Sequence, residues 1–207
     1  MKENLEDLLN ELNNEGDELI KSGKELLETL MTTEYSIFCT SILNRTINLN
    51  RGYISLVKDS NYITAAPLVR LNLDSLLRLF ASTQCEYHYE KFAEKVRKGE
   101  KISMMYDFNK KKQLRDSELV KRLKKIKGFK WTNEIYKIGS GYVHLSNQHL
   151  YSSFRFEDKE TLVGGIRKND EFVPEKEKIA GTHYMILASK GIRIFIDDWI
   201  KNFNEKK

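Results

Sequence analysis

Apolar residues recur at helical spacing along most of the chain. Near the start, a row of leucines follows the i, i+3, i+4, i+7 rule, and it consists of Leu5, Leu8, Leu9, Leu12, Leu19 and Leu26. The same pattern predicts further helices over residues 32–58, 64–82, 85–97, 101–127, 130–150 and 175–203. The window 64–82 is apolar on almost every face, which is typical of a helix at the centre of a fold.

The periodicity changes between the last two of these windows. Residues 151–166 alternate weakly, with Phe154 and Phe156 on either side of Arg155, and a polar EDKE segment follows. This alternation predicts a β-hairpin. Because the predicted connections are short, the fold class is all-α, an antiparallel bundle of six to eight helices with a hairpin insertion near 151–166. Residues 1–30 are predicted to form an acidic helical arm, and residues 31–207 the bundle domain.

Composition narrows the class of protein. The chain has 207 residues, of which 40% are hydrophobic and 31% charged, and this is typical of a globular domain with its own core. No apolar run reaches the 18 residues of a membrane span, and the acidic N-terminus does not resemble a secretory signal. Cys39 and Cys85 belong to no CxxC motif and are predicted to be reduced thiols. We therefore expect a cytoplasmic protein without membrane contact.

The net charge of +5 is unevenly distributed. Residues 101–130 contain 11 Lys/Arg and 3 Asp/Glu, whereas the first 30 residues contain 3 Lys and 9 Asp/Glu. The basic stretch either binds the RNA backbone, or meets the acidic arm of a neighbouring subunit, or forms a solvated surface. The candidate nucleic-acid-binding residues are Lys110, Lys111, Lys112, Lys121, Arg122, Lys124 and Lys125.

Two groups of residues could carry chemistry. Arg70, Asp74 and Arg78 are spaced by four, so they form one charged row on the most apolar helix. They either form an internal Arg–Asp–Arg ladder or line a pocket in which a guanidinium binds a phosphate. The second group is the segment GSGYVHLS, in which Ser140 and His144 share a helix face. Its histidine is either a general acid or base, or a core residue beside a helix crossing.

A helix with a polar Arg70 row, followed much later by the Ser–Gly–Tyr–Val–His segment, resembles divergent members of the HEPN superfamily. These are all-α proteins of prokaryotic toxin–antitoxin and phage-defence systems, and many are dimeric, metal-independent endoribonucleases. Their usual motif places an Arg four to six residues before the His. No Arg stands there before His144, so the resemblance implies an Arg from another helix, either Arg70 or Arg78.

The resemblance implies a role for each candidate residue. His144 would take the proton of a ribose 2′-hydroxyl or protonate the leaving 5′-oxygen, and Arg70 or Arg78 would stabilise the charge on the phosphate. Ser140 or Tyr142 would orient the histidine or the phosphate, while Asp74 would fix the arginines. No metal or other cofactor is implied.

Two other functions are compatible with the same sequence. One is a non-catalytic interaction module that dimerises or docks on a defence or toxin–antitoxin protein through its acidic arm, and an exposed leucine stripe would favour it. The other is a bundle that binds a nucleotide without cleaving RNA. In each case we expect a homodimer, because bundles of this kind often bury their remaining apolar faces in that way.

Overall fold

The computed structural model describes residues 4–30 and 32–205. Eight α-helices and one antiparallel hairpin are found in this part of the chain, which confirms the all-α class. The elements are α1 (Leu5–Leu30), α2 (Glu34–Lys58), α3 (Tyr62–Gln84), α4 (Tyr89–Arg97), α5 (Asp116–Leu123), α6 (Thr132–Val143), α7 (Asn147–Ser153), β1 (Phe154–Phe156), β2 (Leu162–Gly164) and α8 (Glu175–Asn204). None of the described helices has the length and apolar character that crossing a bilayer requires.

The first helix packs along α8 and α2. Its leucines at positions 8, 9, 12, 19 and 26 are buried, and Arg193 of α8 binds the Glu15 carboxylate at 2.7 Å. Ser22 donates a further hydrogen bond to Asp197 at 2.6 Å. The leucine row is therefore covered by other helices of the same chain.

The central position of α3 follows from its composition. It packs against α2, α6 and α8, and its buried residues cover several faces of the helix. A small polar layer crosses this core, in which the Asn50 and Asn72 amides both donate to Ser189 Oγ, at 2.9 and 3.2 Å. Because a buried polar group is costly without a partner, this layer favours one register of α2, α3 and α8.

The start of α2 is fixed by a capping box. Thr33 accepts a hydrogen bond from the Ser36 amide at 3.2 Å, and Ser36 Oγ accepts one from the Thr33 amide at 2.9 Å. Two amides at the helix start, which lack partners within the helix, are thereby satisfied.

The basic stretch 101–127 contains less helix than its pattern predicts. Only a short 3-10 turn, Ile102–Met104, and the eight residues of α5 are helical there. The Asp107 carboxylate accepts hydrogen bonds from the amides of Lys111 and Lys112, at 2.9 and 3.3 Å, and Lys110 adopts a positive φ of 54°. These local bonds satisfy the backbone in a loop and replace the expected helix.

The predicted helix 130–150 is divided in two. The first part, α6, ends with His144 in an extended conformation, and Ser146 caps α7 by accepting a hydrogen bond from the Gln148 amide at 3.3 Å. The hairpin that the alternation of residues 151–166 predicts follows directly, but it begins at Phe154, because residues 151–153 belong to α7; in its register Arg155 lies opposite Val163.

Candidate functional site: an arginine cluster and a lysine groove

The charged row of α3 meets the first residue of α5. The Asp116 carboxylate accepts hydrogen bonds from Arg70 Nη2 at 2.7 Å and from Arg78 Nη2 at 2.6 Å. The same Nη2 atom of Arg78 lies 2.7 Å from Asp74 Oδ1, one helical turn earlier. Asp116 therefore joins two arginines whose side chains are only 15% and 24% exposed.

One further side chain completes what we call the arginine cluster, which comprises Arg45, Arg70, Asp74, Arg78 and Asp116. Arg45 of α2 lies 3.2 Å from Asp74 Oδ2 and donates to Ser75 Oγ at 2.9 Å. The Arg70 guanidinium lies over the ring of Tyr136 in α6, 4.9 Å from its centroid. Ion pairs thus connect α2, α3 and α5, and the ring of Tyr136 adds α6.

The charges of the cluster compensate each other. Burial raises the pKa of Asp116, but the neighbouring Arg78 and Arg70 more than offset this and hold it below its usual value. For Arg78, burial lowers the pKa, and Asp74 and Asp116 reverse the effect. Each ion is thus stabilised mainly by partners within the protein, an arrangement that holds helices together. The internal ladder is the reading that this geometry favours.

One nitrogen atom of the Arg78 guanidinium takes no part in these contacts. Its Nη1 is buried and has no hydrogen-bond partner among the described residues. The side chain nevertheless makes two short ionic contacts through Nη2. An unsatisfied NH2 group reduces the stability of the cluster, but it does not leave a free guanidinium for a phosphate.

His144 lies away from the arginines. α6 runs antiparallel to α3. Gly139 of α6 lies so close to Arg70 that a Cβ there would meet its side chain, whereas Tyr142, later in α6, packs on Tyr62, which comes earlier in α3, with ring centroids 6.1 Å apart. The Arg70 guanidinium is at the level of Tyr136, eight residues before His144, which corresponds to about 12 Å along the helix axis. One protomer therefore does not bring His144 and the arginines to the same phosphate.

Ser140 and Tyr142, the other two candidate residues of the GSGYVHLS segment, lie on different sides of α6. Ser140 is exposed, as is His144 one turn later, so both are accessible on the outer surface of α6. Tyr142 is half-buried, and its hydroxyl donates to Glu177 Oε2 at 2.9 Å. Burial, and then the Glu177 carboxylate, raise the pKa of Tyr142. Its hydroxyl is directed to α8 and orients neither His144 nor a ligand beside it.

The predicted nucleic-acid-binding residues fall into two groups. Arg122 pairs with Asp107 at 2.6 Å and with Glu118 at 2.8 Å, so its charge is compensated. Lys110 and Lys112 lie in the loop before α5, 3.5 Å from Glu86 and 3.6 Å from Glu118. The remaining members are exposed, and they are Lys111, Lys121, Lys124 and Lys125.

Two of these lysines line an open groove between α5 and α6, which we call the lysine groove. Its residues are Lys124, Lys125, Lys130, Trp131, Asn133 and Glu134, and its volume is about 630 Å³. Lys124 Nζ lies 3.4 Å from Asn133 Oδ1, and within the described part of the chain none of the three lysines forms an ion pair. The candidate set taken from the sequence lacked Lys130 and Trp131, although both lie in or next to the basic stretch.

The outer face of α6 continues from this groove to His144. Asn133, Lys137, Ser140 and His144 are spaced by four, three and four residues, so they lie on one side of the helix. Lys137, Ser140 and His144 are exposed. A polar strip thus runs from the lysine groove to the histidine, on a different side of α6 from Tyr142.

Comparisons with known proteins do not assign this chain to a family. No family model matches the chain, and neither a curated protein nor a solved structure is significantly similar to it. Among residues 4–30 and 32–205, no group of three or more His, Cys, Asp or Glu side chains is placed to hold a metal ion.

Proposed function

We propose that this protein binds single-stranded RNA, with the lysine groove on the phosphate backbone and the outer face of α6 extending the contact. The observation that carries the proposal is a groove that Lys124, Lys125 and Lys130 line together with Trp131, and none of these lysines forms an ion pair among the described residues. Such lysines bind phosphates by releasing counterions, and an aromatic ring next to them can stack on a base.

The arrangement of charge supports the same surface. Residues 101–130 have a net charge of +8, and their three acidic residues, Asp107, Asp116 and Glu118, are each paired with an arginine. An approaching polyanion consequently meets the lysines of the stretch that have no carboxylate partner, together with the exposed Arg115.

RNA binding is tested by fluorescence anisotropy with a labelled single-stranded RNA over a range of salt concentrations. Replacing Lys124, Lys125 and Lys130 together with alanine should weaken binding and reduce the slope of log affinity against log salt by about 2, because each lysine contributes about 0.7. The matched control replaces three exposed lysines elsewhere, Lys159, Lys168 and Lys176, with alanine. Equal loss in the two triple variants would contradict the proposal.

RNA cleavage without a metal ion is a second candidate function, as in the HEPN-like ribonucleases of toxin and phage-defence systems. It is favoured by the exposure of His144 at the end of the strip that begins in the lysine groove. In this reaction His144 would act as acid or base, Ser140 would contact the phosphate, and the arginine cluster would keep α3 and α6 in place.

Cleavage of an RNA pool in EDTA tests this candidate. His144→Ala should abolish cleavage, whereas Tyr142→Phe should retain it, because the Tyr142 hydroxyl is bonded to Glu177 on another side of α6. Both variants are compared at equal folded fraction by circular dichroism. Cleavage that survives His144→Ala would exclude the histidine from the reaction.

A homodimer is the assembly we propose. The segment from Val143 to Ile166 exposes eight large apolar side chains, among them Leu145 (89% exposed), Phe156 (67%) and Ile166 (107%). An apolar surface of this kind is typical of a protein interface. Light scattering of the wild type should give the mass of a dimer. The double variant Leu145→Asp, Phe156→Asp should give the mass of a monomer. A wild type that is already monomeric at micromolar concentration would contradict the assembly.

The leucine row does not favour docking through the first helix. The sequence left open a non-catalytic module that uses an exposed leucine stripe of the acidic arm. Leu12, Leu19 and Leu26 are fully buried against the chain's own helices, so the stripe is not available to a partner in this conformation. The apolar surface of α7 and the hairpin is the better candidate for protein contact.

A further inference from the structure

A cavity of about 270 Å³ lies between α3, α6 and α8, on the side of α6 away from the polar strip. Its walls carry the rings of Tyr62, Tyr142 and Tyr184 and the apolar side chains of Val69 and Ile135. Ile138 and Glu134 are exposed at its rim, so the cavity has access to solvent. Its volume is close to the lower end of the range for small-molecule sites.

Two glycines make room for the tyrosine hydroxyls and the close helix packing here. A Cβ at Gly181 would come closer to the Tyr62 hydroxyl than van der Waals contact permits, and one at Gly139 would lie 2.9 Å from Arg70 Cβ. The Tyr62 hydroxyl donates to the Glu177 carbonyl at 2.8 Å. The wall is thus a fixed part of the fold, formed where α6 and α8 approach α3.

The charges around the cavity are all negative. Glu177 accepts the Tyr142 hydroxyl bond at 2.9 Å, and Glu134 lies next to Tyr184, whose pKa burial and this carboxylate raise to about 12. No Lys, Arg or His side chain lines the cavity, and neither glutamate forms an ion pair in the described part of the chain. Glu177 is thus the carboxylate that lines the cavity and not the lysine groove, whereas Glu134 stands between the cavity and the lysine groove.

We propose that this cavity binds a small organic ammonium ion between Tyr62, Tyr142 and Tyr184, with Glu177 and Glu134 supplying the opposite charge. Aromatic faces attract cations through their quadrupole, and the attraction increases when the site excludes water. The carboxylates add a Coulomb interaction that a neutral ligand of the same shape lacks. Glu134 also lines the lysine groove, whereas Glu177 and Tyr184 do not, so changes at Glu177 and Tyr184 distinguish this site from the RNA-binding surface.

The first experiment is calorimetric titration of the full chain with choline and with putrescine. The comparison ligand is the neutral isostere of choline in which a carbon replaces the nitrogen. We expect one of the two ammonium ions to bind at least tenfold more tightly than the isostere. Preference for choline identifies a methylated ammonium ion, whereas preference for putrescine identifies a primary amine.

Two variants connect the binding to the cavity. Glu177→Gln keeps an oxygen that accepts the Tyr142 hydroxyl but removes the charge, and it should weaken the bound ammonium ion about tenfold. The matched control, Glu175→Gln, makes the same change at an exposed position two residues earlier and should leave the affinity unchanged. Tyr184→Leu, which removes one aromatic wall, should also weaken binding.

A folding control and two possible results decide whether the cavity binds an ammonium ion. Each variant is first compared with wild type by its thermal unfolding midpoint without ligand, so that a folding defect is not counted as lost binding. If neither ammonium ion binds more tightly than the neutral isostere at millimolar concentration, the proposal is overturned. Equal weakening by Glu177→Gln and Glu175→Gln would overturn it as well, because binding would then depend on general charge and not on the cavity.

Discussion

The arginine cluster and the lysine groove are adjacent, yet they use positive charge in opposite ways. In the cluster, Asp74 and Asp116 lie within 3.2 Å of guanidinium atoms of three arginines. In the groove, Lys124, Lys125 and Lys130 are exposed and form no ion pair among the described residues. The cluster connects helices, whereas the groove presents charge to solvent.

The difference shows why residue type alone does not identify a binding surface. Arginine, with its bidentate fork, is the residue expected at a phosphate site, and it is the arginines that are occupied here. The lysines, which are also common on solvated surfaces, have the free charge. Pairing within the fold decides which of two basic regions can meet an anion.

The largest effect of removing a single counter-charge should come from Asp116→Ala. This change leaves Arg70 and Arg78 partly buried with one fewer counter-charge, and we expect a loss of about 2 kcal/mol of unfolding free energy. Urea denaturation followed by circular dichroism measures it. Glu28→Ala, an exposed carboxylate in α1, is the control and should change stability by less than about 0.5 kcal/mol.

A smaller and pH-dependent effect is expected from Asp107→Asn. Arg122, and then the amides of the following loop, lower the pKa of Asp107 from 3.8 to about 2. A carboxylate whose pKa is lower in the folded state stabilises the protein above its unfolded pKa, and this contribution is lost as the pH falls through the folded pKa. Thermal midpoints of wild type and variant should therefore differ at pH 7 and converge between about pH 4 and pH 2. A constant difference across that range would contradict the assignment.

The long helices are the part of the fold that the sequence predicts well. The leucine row lies within α1, and the windows 32–58, 64–82 and 175–203 correspond to α2, α3 and α8, with ends that differ by no more than two residues. Each has an apolar pattern long enough to be distinguished from a loop. The basic stretch was over-predicted as helix because its loop is held by the Asp107 carboxylate, a local bond that periodicity does not register.

The candidate site was harder to predict for a geometric reason. The row of Arg70, Asp74 and Arg78 follows from spacing within one helix, but its partner Asp116 is 46 residues from Arg70 in sequence. Spacing within one helix also does not predict the direction in which α6 packs along α3. That direction places His144 and the guanidinium of Arg70 at different levels of α6. Trp131 could have been included, because an aromatic residue among lysines is a known sign of nucleic-acid contact.

A further test within the cluster is Tyr136→Leu. This variant keeps an apolar side chain beneath Arg70 but removes the aromatic face that lies 4.9 Å from its guanidinium carbon. We expect a loss of about 1 kcal/mol in unfolding free energy, which lies between the values for exposed and for desolvated cation–π contacts, because the Arg70 side chain is only 15% exposed. In an Arg70→Met background the same change should cost less, and an unaltered cost would show that the ring acts only by packing.

The smallest effect on stability should follow a change in the groove. Lys125→Glu reverses a charge that is exposed and unpaired, so we expect the unfolding free energy to change by less than about 0.5 kcal/mol. Arg78→Glu, the same reversal in the cluster, would place three carboxylates together and should reduce stability strongly, because Asp74 and Asp116 already lie within 2.7 Å of that side chain. Comparable stabilities for the two variants, measured in the same denaturant series, would mean that the cluster does not hold the helices together. The arginine cluster could then no longer be distinguished from the lysine groove as the structural one of the two basic regions.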